Sequence, residues 1–114
     1  MSEIKLEHGN CSDECPIELA INIIGSKWTS LIIRDLLIDK TVRFGDFLRS
    51  LKGISPKTLS LRLRELEKNN IVTRIVYPEV PPHVEYSLTD KGQALESIFL
   101  ELKKWGLAIK SSDK

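Results

Sequence analysis

The chain has 114 residues, of which 41% are hydrophobic and 29% charged, a composition typical of a folded globular protein rather than a disordered one. This length allows one domain with a hydrophobic core and excludes a second. The net charge of +1 is unevenly distributed, because residues 43–77 carry eight Lys or Arg against three Asp or Glu. A basic segment of this kind is typical of a nucleic-acid-binding face, and a solvated polar face is the alternative.

Residues 1–14 are predicted to form a polar N-terminal arm. No run reaches the roughly 18 apolar residues of a membrane span, and the N-terminus lacks the basic start and apolar run of a signal peptide. We therefore expect a cytoplasmic protein that does not bind membranes. In that reducing compartment Cys11 and Cys15 are not expected to form a structural disulfide.

The next segment predicts three helices. Residues 16–24 form a short buried helix opened by proline, and Ser26 caps a second helix that ends near residues 39–40. Residues 41–43 are too short for more than a small strand or an extended link, and residues 44–51 show helical spacing of apolar side chains. A tight connection with Gly53 then leads into the next helix, which is a helix-turn-helix pattern.

The helix predicted at 55–68 contains the stretch SPKTLSLRLRELE. Ser55 is a good N-cap, the following proline suits the first helical position, and Ile54 can pack on Leu59 as a hydrophobic staple. Leu59, Leu63 and Leu66 form one apolar stripe. The opposite face carries polar and basic side chains and one leucine, namely Lys57, Ser60, Leu61, Arg64 and Lys68. Arg62 lies on the flank of this face.

After this helix the spacing of apolar side chains changes from a helical to a strand pattern. Residues 71–77 are rich in β-branched side chains, residues 84–88 alternate with period two, and three prolines separate the two runs, so residues 71–88 predict a two-stranded hairpin. Thr89 can cap a final helix over 89–109, with a long apolar stripe. The whole order of elements predicts a mainly α (α+β) winged helix-turn-helix, in which the Ser55 helix enters the DNA major groove.

Five stretches closely resemble the HxlR-type helix-turn-helix family of transcription regulators, which is related to MarR-type regulators. They are CPIELAINIIGSKWTSLIIRDLL, RFGDFLRSLKGIS, LSLRLRELEKNNIVTR, YPEVPPHVEYSLTDKG and LKKW. The resemblance implies a single winged-helix domain over about 15–110 that binds an inverted-repeat operator in double-stranded DNA as a homodimer. It also implies dimerisation through the N- and C-terminal helices.

The predicted sites follow from these assignments. DNA contacts are expected from the wing residue His83 and from nine residues of the helix-turn-helix. These nine are Arg43, Arg49, Ser55, Lys57, Thr58, Ser60, Leu61, Arg62 and Arg64. The dimer interface is expected to contain residues of both terminal helices: Ile17, Ile21, Phe99, Leu102 and Trp105.

Cys15 precedes Pro16 at the start of the first helix, where the helix dipole favours a thiolate and nearby carboxylates disfavour it. Several members of the resembled family sense oxidants or electrophiles through a cysteine at this position, so Cys15 is a candidate redox sensor for such a small effector. Packing at the dimer interface is the alternative. Cys11 is at most an accessory thiol.

Other classes of function have weaker support. The spacing of His8, Cys11 and Cys15 is compatible with three zinc ligands, but a closed site needs a fourth, so we expect no metal and no cofactor. The sequence has no Gly-rich phosphate loop and no nucleophile motif, so we expect no enzyme. A winged-helix adaptor that binds proteins without DNA or a redox role is the remaining alternative.

Overall fold

The computed structural model describes residues 4–6 and 15–112. Its elements follow in the order α1 (Pro16–Ile24), α2 (Lys27–Asp39), β1 (Thr41–Arg43), α3 (Phe44–Ser50), α4 (Pro56–Lys68), β2 (Val72–Tyr77), β3 (His83–Leu88), α5 (Asp90–Gln93) and α6 (Glu96–Ser112). None of the helices in these ranges has the length and apolar character needed to span a lipid bilayer. The mainly α winged helix-turn-helix predicted from the sequence is confirmed.

The helix-turn-helix consists of α3, a short turn and α4. Gly53 in the turn has φ of +97°, a left-handed conformation that glycine adopts without a steric penalty. Ser55 caps α4 as predicted, because its hydroxyl accepts a hydrogen bond of 3.1 Å from the backbone N–H of Thr58. The leucine stripe of α4 faces a core built from α2, α3, α4 and the sheet: Ile32, Ile33, Leu36, Val42, Phe47, Leu51, Ile54, Leu59, Leu63, Leu66, Ile71, Val72 and Tyr86.

The sheet has three antiparallel strands in the order β1-β3-β2, so the predicted two-stranded wing is incomplete. Residues 41–43, expected as a small strand or an extended link, form β1 and pair with β3, with Val42 opposite Tyr86. Val42 and Tyr86 are both buried in the core. This pairing attaches the wing to the start of the helix-turn-helix.

The prediction that the first helix is buried is wrong for the single chain. α1 has the predicted bounds, but none of its residues is buried, and Ile17 and Ile21 are 49% and 58% exposed. Only Ile23 and Ile24 at its end pack against the core. The helix is apolar, yet the rest of the described chain does not cover it.

The C-terminal helix predicted at 89–109 is interrupted. Thr89 caps only the four-residue α5, and α6 begins at Glu96 and continues to Ser112. Within α5, Gly92 lies tightly against the sheet, because a Cβ at this position would overlap the carbonyl oxygen of Ile71 and lie 2.9 Å from Leu88 Cδ2. The first turn is therefore packed closely against the sheet, and the long helix starts after it.

Candidate nucleic-acid interface

α4 has two faces of opposite character. Leu59, Leu63 and Leu66 are at most 1% exposed and attach the helix to the core. Lys57 and Arg64 are exposed on the other side, and Leu61 between them is 44% exposed. An exposed leucine on an otherwise polar face can contact an apolar group, such as a thymine methyl in the major groove.

Three of the predicted contact residues on this helix take part in local interactions. Ser55 caps the helix, and its hydroxyl lies 3.0 Å from the hydroxyl of Thr58. Arg62, on the flank, donates a hydrogen bond of 3.0 Å to Glu65. These residues stabilise the helix in the absence of any ligand.

The outward-facing residues Lys57, Ser60 and Arg64 differ in this respect. Within residues 15–112, their side chains form no hydrogen bond or ion pair with other protein groups. Because their donors are not used inside the protein, they can bind phosphate oxygens or base edges. Beside Leu61 they form the outer face of α4.

Arg43, Arg49 and His83 lie around one crevice of about 330 Å³ between the start of α3 and the wing. Arg49 forms an ion pair with Asp46, and Arg43 Nε lies 3.8 Å from a carboxylate oxygen of Glu85. Both arginine side chains remain largely exposed. The structure thus brings together basic residues that are far apart in the sequence.

His83 lies at the start of β3 rather than at the end of the wing. Its ring stacks on Tyr77, with centroids 4.7 Å apart, and its two nitrogens each lie 3.2 Å from a carboxylate oxygen, one of Glu79 and one of Glu85. Its side chain is only 19% exposed. These contacts brace the wing, and the exposed end consists of residues 78–82, with one acidic and no basic residue.

A second polar crevice, of about 340 Å³, separates α4 from the β2–β3 hairpin, and sequence reasoning alone does not reveal it. It is lined by Ser60, Leu63, Arg64, Glu67, Arg74 and Tyr86. Burial raises the pKa of the Tyr86 phenol above its usual value, Arg74 opposes this rise and Glu67 adds to it. The one signal in the sequence is that Arg74 is the only Lys or Arg between residues 69 and 90.

Cys15 is the N-cap residue of α1 and is half-buried. Its carbonyl accepts a hydrogen bond of 2.9 Å from the backbone N–H of Leu19, while its side chain makes no cap bond. His8 and Cys11, the other members of the zinc hypothesis, lie outside the described residues. Among residues 4–6 and 15–112, no three His, Cys, Asp or Glu side chains cluster as a metal site requires.

The predicted interface residues form a separate apolar surface on the two terminal helices. On α6, Leu102 and Trp105 are 53% and 70% exposed, and Phe99 is half-buried. Beside them an open groove of about 560 Å³ runs between α2 and α6. Together with Ile17 and Ile21 of α1, these side chains expose more large apolar groups than a monomer normally leaves in water.

Comparison with known proteins identifies close relatives. A family model described as HxlR-like helix-turn-helix matches residues 23–114. The HTH-type transcriptional regulator YybR of Bacillus subtilis (strain 168) is 45% identical over 106 residues, which are 93% of this chain and 83% of that protein. The regulator BH0655 of Halalkalibacterium halodurans is 44% identical over 107 residues, 94% of each chain.

Solved structures of two regulators are also similar. The redox regulator HypR in its reduced form has a TM-score of 0.80 and 44% identity, covering 84% of this chain and 94% of that one. The reduced form of the transcriptional regulator YodB from B. subtilis has a TM-score of 0.71 and 44% identity, covering 82% and 91%. HypR and YodB have also been solved in an oxidised and a diamide-treated form respectively.

Proposed function

Since the chain belongs to the HxlR-like helix-turn-helix family and is a transcriptional regulator rather than an enzyme, we propose that it binds an inverted-repeat operator in double-stranded DNA as a homodimer. α4 enters the major groove, and its outer face contacts the DNA. A twofold dimer places two such helices about one turn of DNA apart, roughly 34 Å.

The observation that carries this proposal is the outer face of α4. Lys57, Ser60 and Arg64 offer donors that no group within residues 15–112 uses, and the leucine stripe on the opposite side holds the helix in place. Arg43 and Arg49 add two largely exposed basic groups beside the wing. A protein-binding adaptor has no need of such a set of unpaired donors on one face.

The test begins with selection of binding sites from random duplex DNA. Sequencing of the bound fraction is expected to give two inverted half-sites whose centres lie one helical turn apart. Fluorescence anisotropy over a salt series then measures the affinity for the selected site and for a random duplex. Phosphate contacts make the logarithm of the association constant fall linearly with the logarithm of the salt concentration.

Lys57→Ala and Arg64→Ala are expected to weaken binding to both duplexes and to flatten this salt dependence, because each removes a cation facing phosphate. Lys104→Ala is the matched control, since Lys104 is an exposed lysine on α6, paired only with Glu101. If the selection enriches no DNA sequence and no salt-dependent binding is measured, the adaptor function is supported instead.

A regulatory role for Cys15 extends the proposal. The neighbours HypR and YodB, each solved in a reduced form and in an oxidised or diamide-treated form, support a response to oxidants. Cys15 begins the helix that exposes Ile17 and Ile21, so an adduct on its sulfur, or a disulfide between protomers, would change how two copies pack. A tilt of a few degrees at the interface then moves the α4 helices out of register with the two half-sites.

The expected loss of operator affinity is about 5–150-fold, which is the range of ordinary allosteric couplings. Diamide or a quinone is expected to lower the affinity of the parent protein, and dithiothreitol to restore it after diamide. Cys15→Ser is expected to bind DNA and to ignore the oxidant, whereas Cys11→Ser retains most of the response. If Cys15→Ser responds as the parent does, Cys15 is only a packing residue.

A further inference from the structure

The crevice between α4 and the hairpin concentrates polar groups from three elements. Ser60, Arg64 and Glu67 come from α4, Arg74 from β2 and Tyr86 from β3. Leu63 is the one aliphatic residue among those that line it. The crevice lies along the edge of the outer face of α4, since Ser60 and Arg64 belong to both.

The register of the two strands accounts for the hairpin side of the crevice. Arg74 and Tyr86 are directly opposite each other across β2 and β3, so their side chains project from the same face of the sheet. The Tyr86 ring packs edge-on against Phe47, with centroids 6.1 Å apart, which shows that this face is turned towards the helices. Arg74 at the outer strand therefore extends past the tyrosine towards α4.

Arg74 is held only loosely in this position. Its Nε lies 3.7 Å from a carboxylate oxygen of Glu67, and both side chains are nearly half exposed. A charge-assisted hydrogen bond normally measures about 2.7–2.9 Å, so this pair attracts without a formed hydrogen bond. The guanidinium donors of Arg74 are therefore free to bind another anion.

The remaining donors of the crevice are also unused. In the part of the chain that the structure describes, the hydroxyls of Ser60 and Tyr86 and the guanidinium of Arg64 form no hydrogen bond with another protein group. A tyrosine phenol is protonated at neutral pH, and burial raises the pKa of Tyr86 further, so its hydroxyl can donate. Two hydroxyls and two guanidinium groups thus line one opening.

We propose that this crevice binds one phosphodiester group of the DNA backbone in each protomer, with Arg74 and Tyr86 completing a site begun by Ser60 and Arg64. Its two arginines and one glutamate give a net charge of +1, which matches the single negative charge of a diester. Glu67 holds Arg74 near the opening until the phosphate replaces it as the partner of the guanidinium. This inference rests on the proposed function.

The position of the crevice favours DNA as the source of the phosphate. Arg74 is the only Lys or Arg of the hairpin, and it lies at the base of the wing beside α4. A helix in the major groove has the sugar-phosphate backbone along its side, where this crevice opens. A free anion such as inorganic phosphate shares the same chemistry and is the alternative source.

The experiment measures binding of the selected operator and of a random duplex over a salt series. Arg74→Ala is expected to weaken binding to both by about tenfold or more and to lower the salt slope, by about 0.9 for each phosphate that is no longer neutralised. Arg74→Lys keeps the charge and is expected to keep the slope. Tyr86→Phe removes one neutral donor from each protomer, so the affinity falls about 2–10-fold per site while the slope stays the same.

Glu67→Gln gives a prediction of the opposite sign. Removing this carboxylate frees Arg74 and removes a repulsion from the phosphate, so binding is expected to tighten and the salt slope to steepen. Glu101→Gln is the matched control, because Glu101 forms an exposed ion pair with Lys104 on α6. It is expected to leave both quantities unchanged. Thermal melts of every variant verify that the fold is retained.

The outcomes separate this inference from the proposed function. If the parent binds its operator while Arg74→Ala, Tyr86→Phe and Glu67→Gln bind like the parent, the phosphate site is wrong and the proposed function stands. If the parent binds no DNA, the proposed function fails first, and the inference with it. A third outcome is that inorganic phosphate raises the melting temperature of the parent but not of Arg74→Ala, while both bind the operator with the same affinity. In that case the crevice binds a small anion, and the DNA assignment is overturned.

Discussion

Two leucines on α4 illustrate how one helix has both a solvent-facing side and a core-facing side. Leu61 is 44% exposed and Leu63 is 1% exposed, although only one residue separates them. The helical turn of about 100° per residue rotates the first towards solvent and the second into the core. The same amino acid therefore serves a proposed contact at one position and packing at the other.

Leu61→Ala is expected to relax the sequence preference while leaving thermal stability nearly unchanged, because the side chain it removes is proposed to contact a base and lies outside the core. Leu63→Ala is the matched variant and is expected to lower the free energy of unfolding by about 2–5 kcal/mol. The measurements are site selection from random duplexes and denaturant unfolding. Loss of stability without any change in preference for Leu61→Ala would assign that residue to the core.

Tyr86 makes the free energy of unfolding depend on pH in the alkaline range. Its pKa in the folded protein is raised by burial, so above about pH 10 the unfolded chain loses a proton that the folded chain retains. The free energy of unfolding therefore falls as the pH rises from that value towards the folded pKa, by up to about 1.4 kcal/mol per pH unit. Below about pH 10 this contribution does not vary.

The measurement is denaturant unfolding at neutral pH and at several values above the ordinary pKa of tyrosine. Tyr86→Phe is expected to have a smaller alkaline loss than the parent, because it has no phenol to ionise. The two proteins share every other ionisable group, so only the difference between the two curves reports on Tyr86. Identical curves would contradict this assignment.

At the scale of elements, local rules are sufficient for the helix caps but not for distant pairings. Ser26, Ser55 and Thr89 each accept the predicted cap hydrogen bond, because a cap depends only on residues two or three positions away. The pairing of β1 with β3 cannot be predicted in this way. The three residues of β1 are too few to show an alternation of apolar and polar side chains, and their partner strand lies far along the chain. Periodicity identifies the apolar face of α1 but does not say what covers it.

In the candidate site, too, local sequence patterns predict some features, while others depend on pairings between distant residues. The exposed face of α4 follows from helical periodicity alone, whereas its contact with DNA stays a prediction. The side of the crevice formed by Arg74 and Tyr86 depends on strand register, which places together residues that are distant in sequence. For His83, pattern is enough to predict its place on the wing but not its two carboxylate neighbours.

Gly92 tests the connection between the sheet and the C-terminal helix. Gly92→Ala is expected to destabilise the fold by about 1–3 kcal/mol, because the new methyl overlaps the Ile71 carbonyl and presses on Leu88. Gly45→Ala on α3 is the matched control, since its nearest neighbour would be a flexible arginine end 3.8 Å away. There the change to alanine is expected to stabilise by about 0.5–1 kcal/mol. Chemical denaturation of the three proteins gives the comparison.

For the whole molecule, the dominant feature is the uncovered apolar surface of α1 and α6. Ile17, Ile21, Leu102 and Trp105 are all about half exposed or more in the single chain. Burial of apolar surface gains about 25 cal/mol per Å², so these side chains favour association with a second copy. The proposed homodimer accounts for α1, which residues 15–112 leave largely uncovered.

Trp105→Glu is expected to convert the protein to a monomer at micromolar concentration and to abolish tight operator binding, because a charge replaces a large apolar group at the proposed interface. Ile75→Glu is the control for sedimentation, since Ile75 is 46% exposed on the wing and away from both terminal helices. It is expected to sediment like the parent. A parent that is already monomeric at this concentration would contradict the dimer.

If the proposed homodimer forms through this uncovered surface, the surface also sets how operator occupancy depends on the concentration of the chain. When association of two chains precedes operator binding, and while most operator sites are free, occupancy below the dimer dissociation constant rises with the square of the chain concentration, by mass action. A twofold dilution, such as one cell division without new synthesis, then lowers occupancy roughly fourfold. In the proposed dimer, Trp105 and its neighbours thus set the protein concentration at which the operator is occupied, although none of them is a predicted DNA-contact residue.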